Sequence, residues 1–239
     1  MGTGPGAIED LSSRALTALK NAEVIVGYKT YVALIKSIIV NQEIISTGMT
    51  REIERCAAAI EQALSGRRVA VISSGDPGVY GMAGLVLELL EKEGELNNIP
   101  VEIIPGITSA TSAAARLGAP LMHDFAVISL SDLLTPWEII EKRLEAAAYA
   151  DFVIVLYNPA SNKRNWQLKS ARDIMLKYKA PTTPVGIVKN AARQQEEVYI
   201  TDIENMLIYP IDMLATVIIG NKSTREAGGF IITPRGYTI

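Results

Sequence analysis

An apolar run, Val69-Ala70-Val71-Ile72, is cut off by Ser73-Ser74-Gly75-Asp76-Pro77-Gly78-Val79-Tyr80-Gly81. A short β-branched run stopped by glycine and proline reads as a buried strand that empties into a turn. No other feature constrains the fold as much, because open α/β sheets bind their ligands at the carboxyl ends of strands. Gly75 and Gly78 carry no Cβ and let backbone come close to a ligand, and Asp76 adds a carboxylate. A lone Gly-Asp-Pro is an ordinary turn between strand and helix. A second glycine loop, Gly2-Thr3-Gly4-Pro5-Gly6, shares the chain, and two such loops in one α/β pattern favour a nucleotide-like ligand.

The rest of the chain supplies that pattern. Strand-like runs at residues 23–26, 43–46, 69–73 and 101–104 alternate with helical stretches at 11–22, 31–40, 51–64 and 82–92. Such alternation implies βαβ units around a mostly parallel sheet. Residues 108–117 are rich in Ala, Ser and Thr, as a tightly packed helix would be. Gly118, Pro120 and the lone His123 then break the rhythm, so we expect two α/β domains, residues 1–120 and 121–239. In the second, strands at 125–130 and 152–157 flank a helix at 136–148 that opens with proline. A helix at 167–178 follows, then strands at 185–188, 198–200, 215–219 and 231–233. Strands dominate this end, and a mixed sheet is expected.

Composition removes several classes of function. The 239 residues are 49% hydrophobic, enough for a full core, yet no stretch reaches the ~18 apolar residues of a membrane span. No basic segment followed by an apolar one opens the chain, so no secretory leader is expected. The formal charge of −3 argues against non-specific nucleic-acid binding. It is uneven: residues 1–158 carry 12 Lys+Arg against 19 Asp+Glu, and residues 159–239 carry 11 against 7. A basic final third suits a polyanionic ligand, although solvated helix faces give the same tally. Cys56 is the one cysteine, which rules out an internal disulfide and fits the reducing cytoplasm. It shares an apolar helical face with Ile53, Ile60 and Leu64. One Cys and one His make no standard structural zinc site, and no metal is expected. Neither a phosphate-binding Gly-x-x-x-x-Gly-Lys-Ser/Thr nor a Gly-x-Ser-x-Gly elbow occurs.

Three more strand ends carry turn-forming or polar residues: Pro105-Gly106-Ile107-Thr108-Ser109, Tyr157-Asn158-Pro159 and Lys189-Asn190-Ala191. Each alone is ordinary turn chemistry. Together they put ligand-ready turns in both halves, and ligands favour domain interfaces, so a cleft between the domains is expected. His123 is either an acid–base group or a satisfied linker residue, and the sequence leaves both open.

These motifs resemble the tetrapyrrole methylases, two-domain α/β enzymes that use S-adenosylmethionine. The family marks are Gly2-Thr3-Gly4-Pro5-Gly6, Gly75-Asp76-Pro77 and Pro105-Gly106-Ile107-Thr108, and the likeness runs through the whole chain. More specific blocks are Ser74–Ala83, His123–Trp137, Tyr157–Ser161 and Thr233–Tyr237. They resemble the branch that methylates C-17 of precorrin-3B or cobalt-factor III during corrin assembly, with ring contraction. Members usually carry a short apolar strand before the glycine loop, whereas here Met1 directly precedes Gly2.

The resemblance implies methyl transfer from a sulfonium to a ring carbon, for which positioning is the main contribution. It implies that Pro5, Gly75, Asp76, Pro77, Val79, Thr108, Ser109, Asn158, Ala191 and Thr216 line the cofactor pocket. His123, Asp124, Ser131 and Asp132 are the catalytic candidates near the macrocycle. Arg116, Lys163, Arg164, Lys189, Arg193 and Arg235 are the candidates for pairing with its carboxylates, a task suited to arginine. A cytoplasmic homodimer is implied, with no nucleic acid or membrane as partner. The rivals are another methylase of the family, such as one acting on precorrin-4, and a module that binds cofactor or corrinoid without turnover.

Overall fold

The computed structural model describes residues 1–161 and 165–238. They divide into two compact units, Met1–Ser109 and Ala110–Ile239. The expected boundary at residues 118–124 therefore moves toward the amino terminus. The reason is packing: the helix Ser109–Leu117 (α5) buries Ala110, Ala113, Ala114 and Leu117 against Val153, Val155 and Ile218 of the second unit.

The first unit is built on three parallel strands, β1 (Val24–Tyr28), β2 (Glu43–Thr47) and β3 (Val69–Val71), in the order β2-β1-β3. The β1 burial pattern matches its apolar run Val24, Ile25, Val26, as a parallel strand covered on both faces requires. Four helices surround it: α1 (Ser13–Asn21), α2 (Lys29–Leu34), α3 (Glu52–Leu64) and α4 (Ala83–Glu93). Ser12 caps α1, its side-chain oxygen accepting from the Ala15 amide. Gly94 ends α4 in the left-handed conformation. Ile25, Ala70 and Ile72 pack on Leu19, Val32 and Ile35, while Val24 and Val26 meet Ala59 on the other face. Cys56 is fully buried, and burial pushes its thiol up to about 11, so it is an inert packing residue.

Residues 101–104, expected as the fourth strand, join no ladder. Val101 and Ile103 are exposed. Between them and β3 runs an apolar cavity of about 620 Å³, bounded by Val69, Val71, Val86, Leu90, Val101 and Ile103. Met1 and Gly2 stand at its mouth and touch both walls. The Met1 ammonium donates to the Val71 carbonyl at 2.7 Å, and the Gly2 amide donates to the Ile104 carbonyl at 2.9 Å. Gly2 also bridges Ser73 in parallel.

The second unit holds a five-stranded mixed sheet in the order β5-β6-β9-β7-β8, from β5 (Phe125–Ser129), β6 (Val153–Tyr157), β7 (Pro184–Lys189), β8 (Glu197–Asp202) and β9 (Ala215–Ile219). Only β5 and β6 pair in parallel. The central strands β6 and β9 are buried at every residue. Their side chains alternate between two cores. Ile154, Leu156, Val217 and Ile219 meet α6 (Trp137–Tyr149) and α7 (Trp166–Met175), while Val153, Val155 and Ile218 meet α5. A small second sheet joins β4 (Gly118–Ala119), β11 (Phe230–Ile232) and β10 (Arg225–Ala227). Neither β4 nor β10 is visible in the sequence pattern. No described helix is long and apolar enough to cross a membrane.

Candidate active site

In the first unit three loops are knotted together beyond the carboxyl end of β3. The Thr3 amide and hydroxyl both donate to the Ser73 carbonyl, at 2.8 and 3.0 Å. Gly4 and Gly75 exchange backbone hydrogen bonds of 3.2 and 2.7 Å. A Cβ on Gly2 would lie 2.4 Å from the Gly75 carbonyl oxygen, and one on Gly106 only 2.2 Å from the same atom. The backbones therefore touch, and no side chain fits between them. Asp76 ties the knot: one carboxylate oxygen accepts from the Gly78 amide at 2.8 Å, the other from the Gly106 amide at 2.9 Å. Residues 75–79 and 106–109 are thus held side by side. Pro5 and Pro77 are buried within this framework, Val79 is exposed beyond it, and Thr108 and Ser109 are half-buried at the entry to α5.

In the second unit the candidates gather on one edge of the large sheet. Strands β5, β6 and β7 run the same way and β9 runs against them. The carboxyl ends of the first three thus share an edge with the amino end of β9. Asn158 leaves β6 with φ +50°, and its side-chain amide donates to Ser129 Oγ at 3.0 Å. The Ser131 amide donates to that same oxygen at 3.2 Å. Asp132 follows directly, with one carboxylate oxygen accepting from Gln167 Nε2 at 2.9 Å. Ala191 and Thr216 lie on this edge at β7 and β9, both buried, and Asn190 and Ala192 adopt positive φ. The Ala110 amide, in the first turn of α5, donates to Tyr157 Oη at 2.7 Å. A helix amino terminus therefore points to the same edge.

The four catalytic candidates do not come together. His123 and Asp124 precede β5, whereas Ser131 and Asp132 follow it, so the five residues of the strand, roughly 16 Å, separate the pairs. His123 Nδ1 accepts from the Asp124 amide at 2.9 Å, and both side chains are exposed. Among the basic candidates, Arg116 is paired with Glu196 at 3.0 Å and Lys189 with Asp212 at 2.9 Å. The Asp212 carboxylate raises the Lys189 pKa. Arg193 donates its backbone amide to the Asn190 carbonyl at 2.9 Å. Arg235 is exposed, with one long contact of 3.5 Å to the Met122 carbonyl. Lys163 and Arg164 lie outside the described residues. Sequence reasoning missed Gln167, Tyr157 and the clamping role of Asp76. All three act through burial or through bonds between distant segments. No three His, Cys, Asp or Glu side chains gather as metal ligands among the described residues.

A two-unit α/β chain with glycine loops beyond a parallel sheet and a polar edge on a mixed one defines a class. The chain belongs to the tetrapyrrole (corrin/porphyrin) methylases, whose family model matches residues 1–207. Within that class it is 53% identical to a probable cobalt-factor III C(17)-methyltransferase of Salmonella typhimurium, with 100% of this chain and 98% of that protein aligned. It is 54% identical to the cobalt-factor III methyltransferase of Priestia megaterium, of which the aligned region is 44%. The crystal structure of the methyltransferase CobJ superposes with a TM-score of 0.92 at 37% identity, covering 98% of this chain and 97% of that one.

The donor set suits the cofactor that such methylases imply. Taken unit by unit, the main-chain groups of residues 75–79 with the hydroxyls of Thr108 and Ser109 in the first, and the Asn158 amide with the turn at 190–192 in the second, are uncharged. Such groups match an adenosine and its ribose, and the amino end of α5 favours a carboxylate.

Proposed function

We propose that the chain methylates C-17 of cobalt-factor III with ring contraction, using S-adenosylmethionine, in corrin assembly. The single observation that carries this reading is the polar edge of the second sheet. There the Ser129–Asn158 pair and the anchored Asp132 stand beside Ala191, Thr216 and the amino end of α5. Its support from relatives is the pair of cobalt-factor III methyltransferases at 53 and 54% identity.

S-adenosylmethionine supplies the methyl group. The Asn158 edge holds it and orients the substrate, which is the main contribution to a displacement needing in-line approach. Asp132 accepts a hydrogen bond or proton from the substrate as ring contraction redistributes protons. Ser131 stands beside it as a donor. Arg116, Lys189, Arg193 and Arg235 meet the substrate's carboxylates, Arg116 and Lys189 by exchanging their present acidic partners. His123 and Asp124 serve the macrocycle from the other end of β5. The protein works as a symmetric cytoplasmic dimer, the commonest assembly.

Incubation with S-adenosylmethionine and cobalt-factor III is expected to release S-adenosylhomocysteine and add one methyl group to the macrocycle by mass. Turnover of metal-free precorrin-3B in preference would correct the substrate. Absence of turnover with both, despite cofactor binding, would replace the reading with a binding module. Light scattering near the 25.8 kDa monomer mass would remove the dimer.

A further inference from the structure

Gln167 is 2% exposed, in the first turn of α7, and is surrounded by the core that α6 and α7 make with the large sheet. A glutamine there has two polar ends to satisfy. Only one is satisfied: Nε2 donates to Asp132 at 2.9 Å, while Oε1 is buried with no hydrogen-bond partner. It is the one such buried side-chain atom among the described residues. A buried acceptor without a donor is unfavourable, and an apolar side chain of the same shape would remove that cost. Packing therefore argues against glutamine at this position. The one thing it does that leucine or methionine cannot is grip the carboxylate of Asp132.

That carboxylate is held in a particular way. Asp132 is half-buried on the loop after β5, next to Ser131, whose amide is pinned to Ser129 Oγ. Its Oδ2 accepts a hydrogen bond from Gln167 Nε2, and no hydrogen bond occupies Oδ1 among the described residues. A donor to one oxygen fixes the plane of the group, leaving the second oxygen as acceptor. The T-shaped pair Trp137–Trp166, with centroids 4.8 Å apart, stiffens the start of α7 beside it.

We propose that Gln167 is a positioning residue that acts through Asp132, holding one carboxylate oxygen so that the other meets the substrate. This rests on the reading of Asp132 given above. The test uses the full chain with S-adenosylmethionine and cobalt-factor III, and measures Tm, S-adenosylhomocysteine affinity, kcat and KM. Gln167→Met is expected to leave Tm equal or higher and cofactor affinity unchanged while kcat falls about tenfold, less than the ~100-fold or more for losing an acid or base itself, because the residue acts through Asp132. The double variant Gln167→Met/Asp132→Asn is expected to be no slower than Asp132→Asn alone, because the two act as one unit. Gln167→Leu repeats the test should the methionine variant fail to fold. Wild-type kcat in Gln167→Met alongside an impaired Asp132→Asn would overturn the role of Gln167 alone. Full turnover by Asp132→Asn would instead remove Asp132 from the reaction, and the inference with it. A fall in Tm that accounts for the lost activity, or losses that multiply in the double variant, would show Gln167 to be structural.

Discussion

The two units solve the same problem, covering a sheet on both faces, with very different completeness. In the second, the central strands are hydrogen-bonded on both sides and every residue of β6 and β9 is buried. In the first, β3 is paired with β1 on one side and faces the 620 Å³ cavity on the other, with Met1 and Gly2 reaching across. The first unit also carries the backbone knot of Gly2, Gly75 and Gly106. The lesson is that a ligand loop can be locked by local contacts while the sheet beneath it is left open along one seam. The first unit should therefore limit overall stability, and the second should tolerate more.

The largest effect is expected from closing the seam. Adding about five alternating Val, Ile and Tyr residues ahead of Met1 gives β3 and residues 101–104 a strand to pair with. Burial of four or five apolar side chains, less the cost of ordering them, is worth about 3 kcal/mol. Thermal scanning should then show a Tm higher by roughly 6–12 °C. An extension of Gly and Ser of equal length should give no gain, and equal Tm values for both would break the comparison.

Next comes the contrast of two glycines. Gly106→Ala drives a methyl group into the Gly75 carbonyl, which cannot yield without dismantling the knot. A loss of about 3 kcal/mol or more, with loss of S-adenosylhomocysteine binding by calorimetry, is expected. At Gly186→Ala in the second unit the nearest atoms are the ends of the Leu117 and Ile231 side chains. Overpacking there should cost about 1–3 kcal/mol and spare cofactor binding.

The Met1 amine gives a third handle. Burial lowers it from 8.0 to about 6. The unfolded chain thus binds more protons between those values, and stability rises with pH from 6 to 8 and is lost as pH falls back through it. The full span is about 2.7 kcal/mol, of which about 1.9 kcal/mol falls between pH 6 and pH 8. Denaturant titrations at pH 6 and 8 measure it, and the slope should vanish when residues precede Met1, because the amine becomes an amide. The smallest effect is expected from His123→Ala. An exposed side chain at the amino end of β5 should change Tm by little. A fall in kcat of ~100-fold at unchanged Tm would support its service to the macrocycle as an acid or base, and unchanged kcat would remove it from the site.

The long, strongly patterned elements were legible in the sequence. The strand at residues 215–219 is found where the apolar run places it, and the parallel and mixed characters of the two sheets followed from the spacing of helices. Residues 101–104 show where pattern fails: alternation marks a segment able to pair, and pairing needs a neighbour that local sequence does not supply. The strands β4 and β10 fail the other way. They are two and three residues long, Gly118 has φ +113°, and only pairing with β11 makes them strands. At the site, the turn residues announced themselves through glycine, proline and asparagine. Gln167 did not, because a glutamine in the first turn of an amphipathic helix looks like a solvated one until its burial is known.

The carboxylate of Asp76 joins the Gly78 amide to that of Gly106, thirty residues along the chain from Asp76 itself. Two loops so coupled cannot fluctuate independently. A ligand touching either one meets a partner whose motion is already restricted by the other, and loses less conformational entropy on binding. Cutting the tie would leave every direct contact available and still weaken binding, with the loss appearing as a more unfavourable entropy and not as a missing hydrogen bond to the ligand.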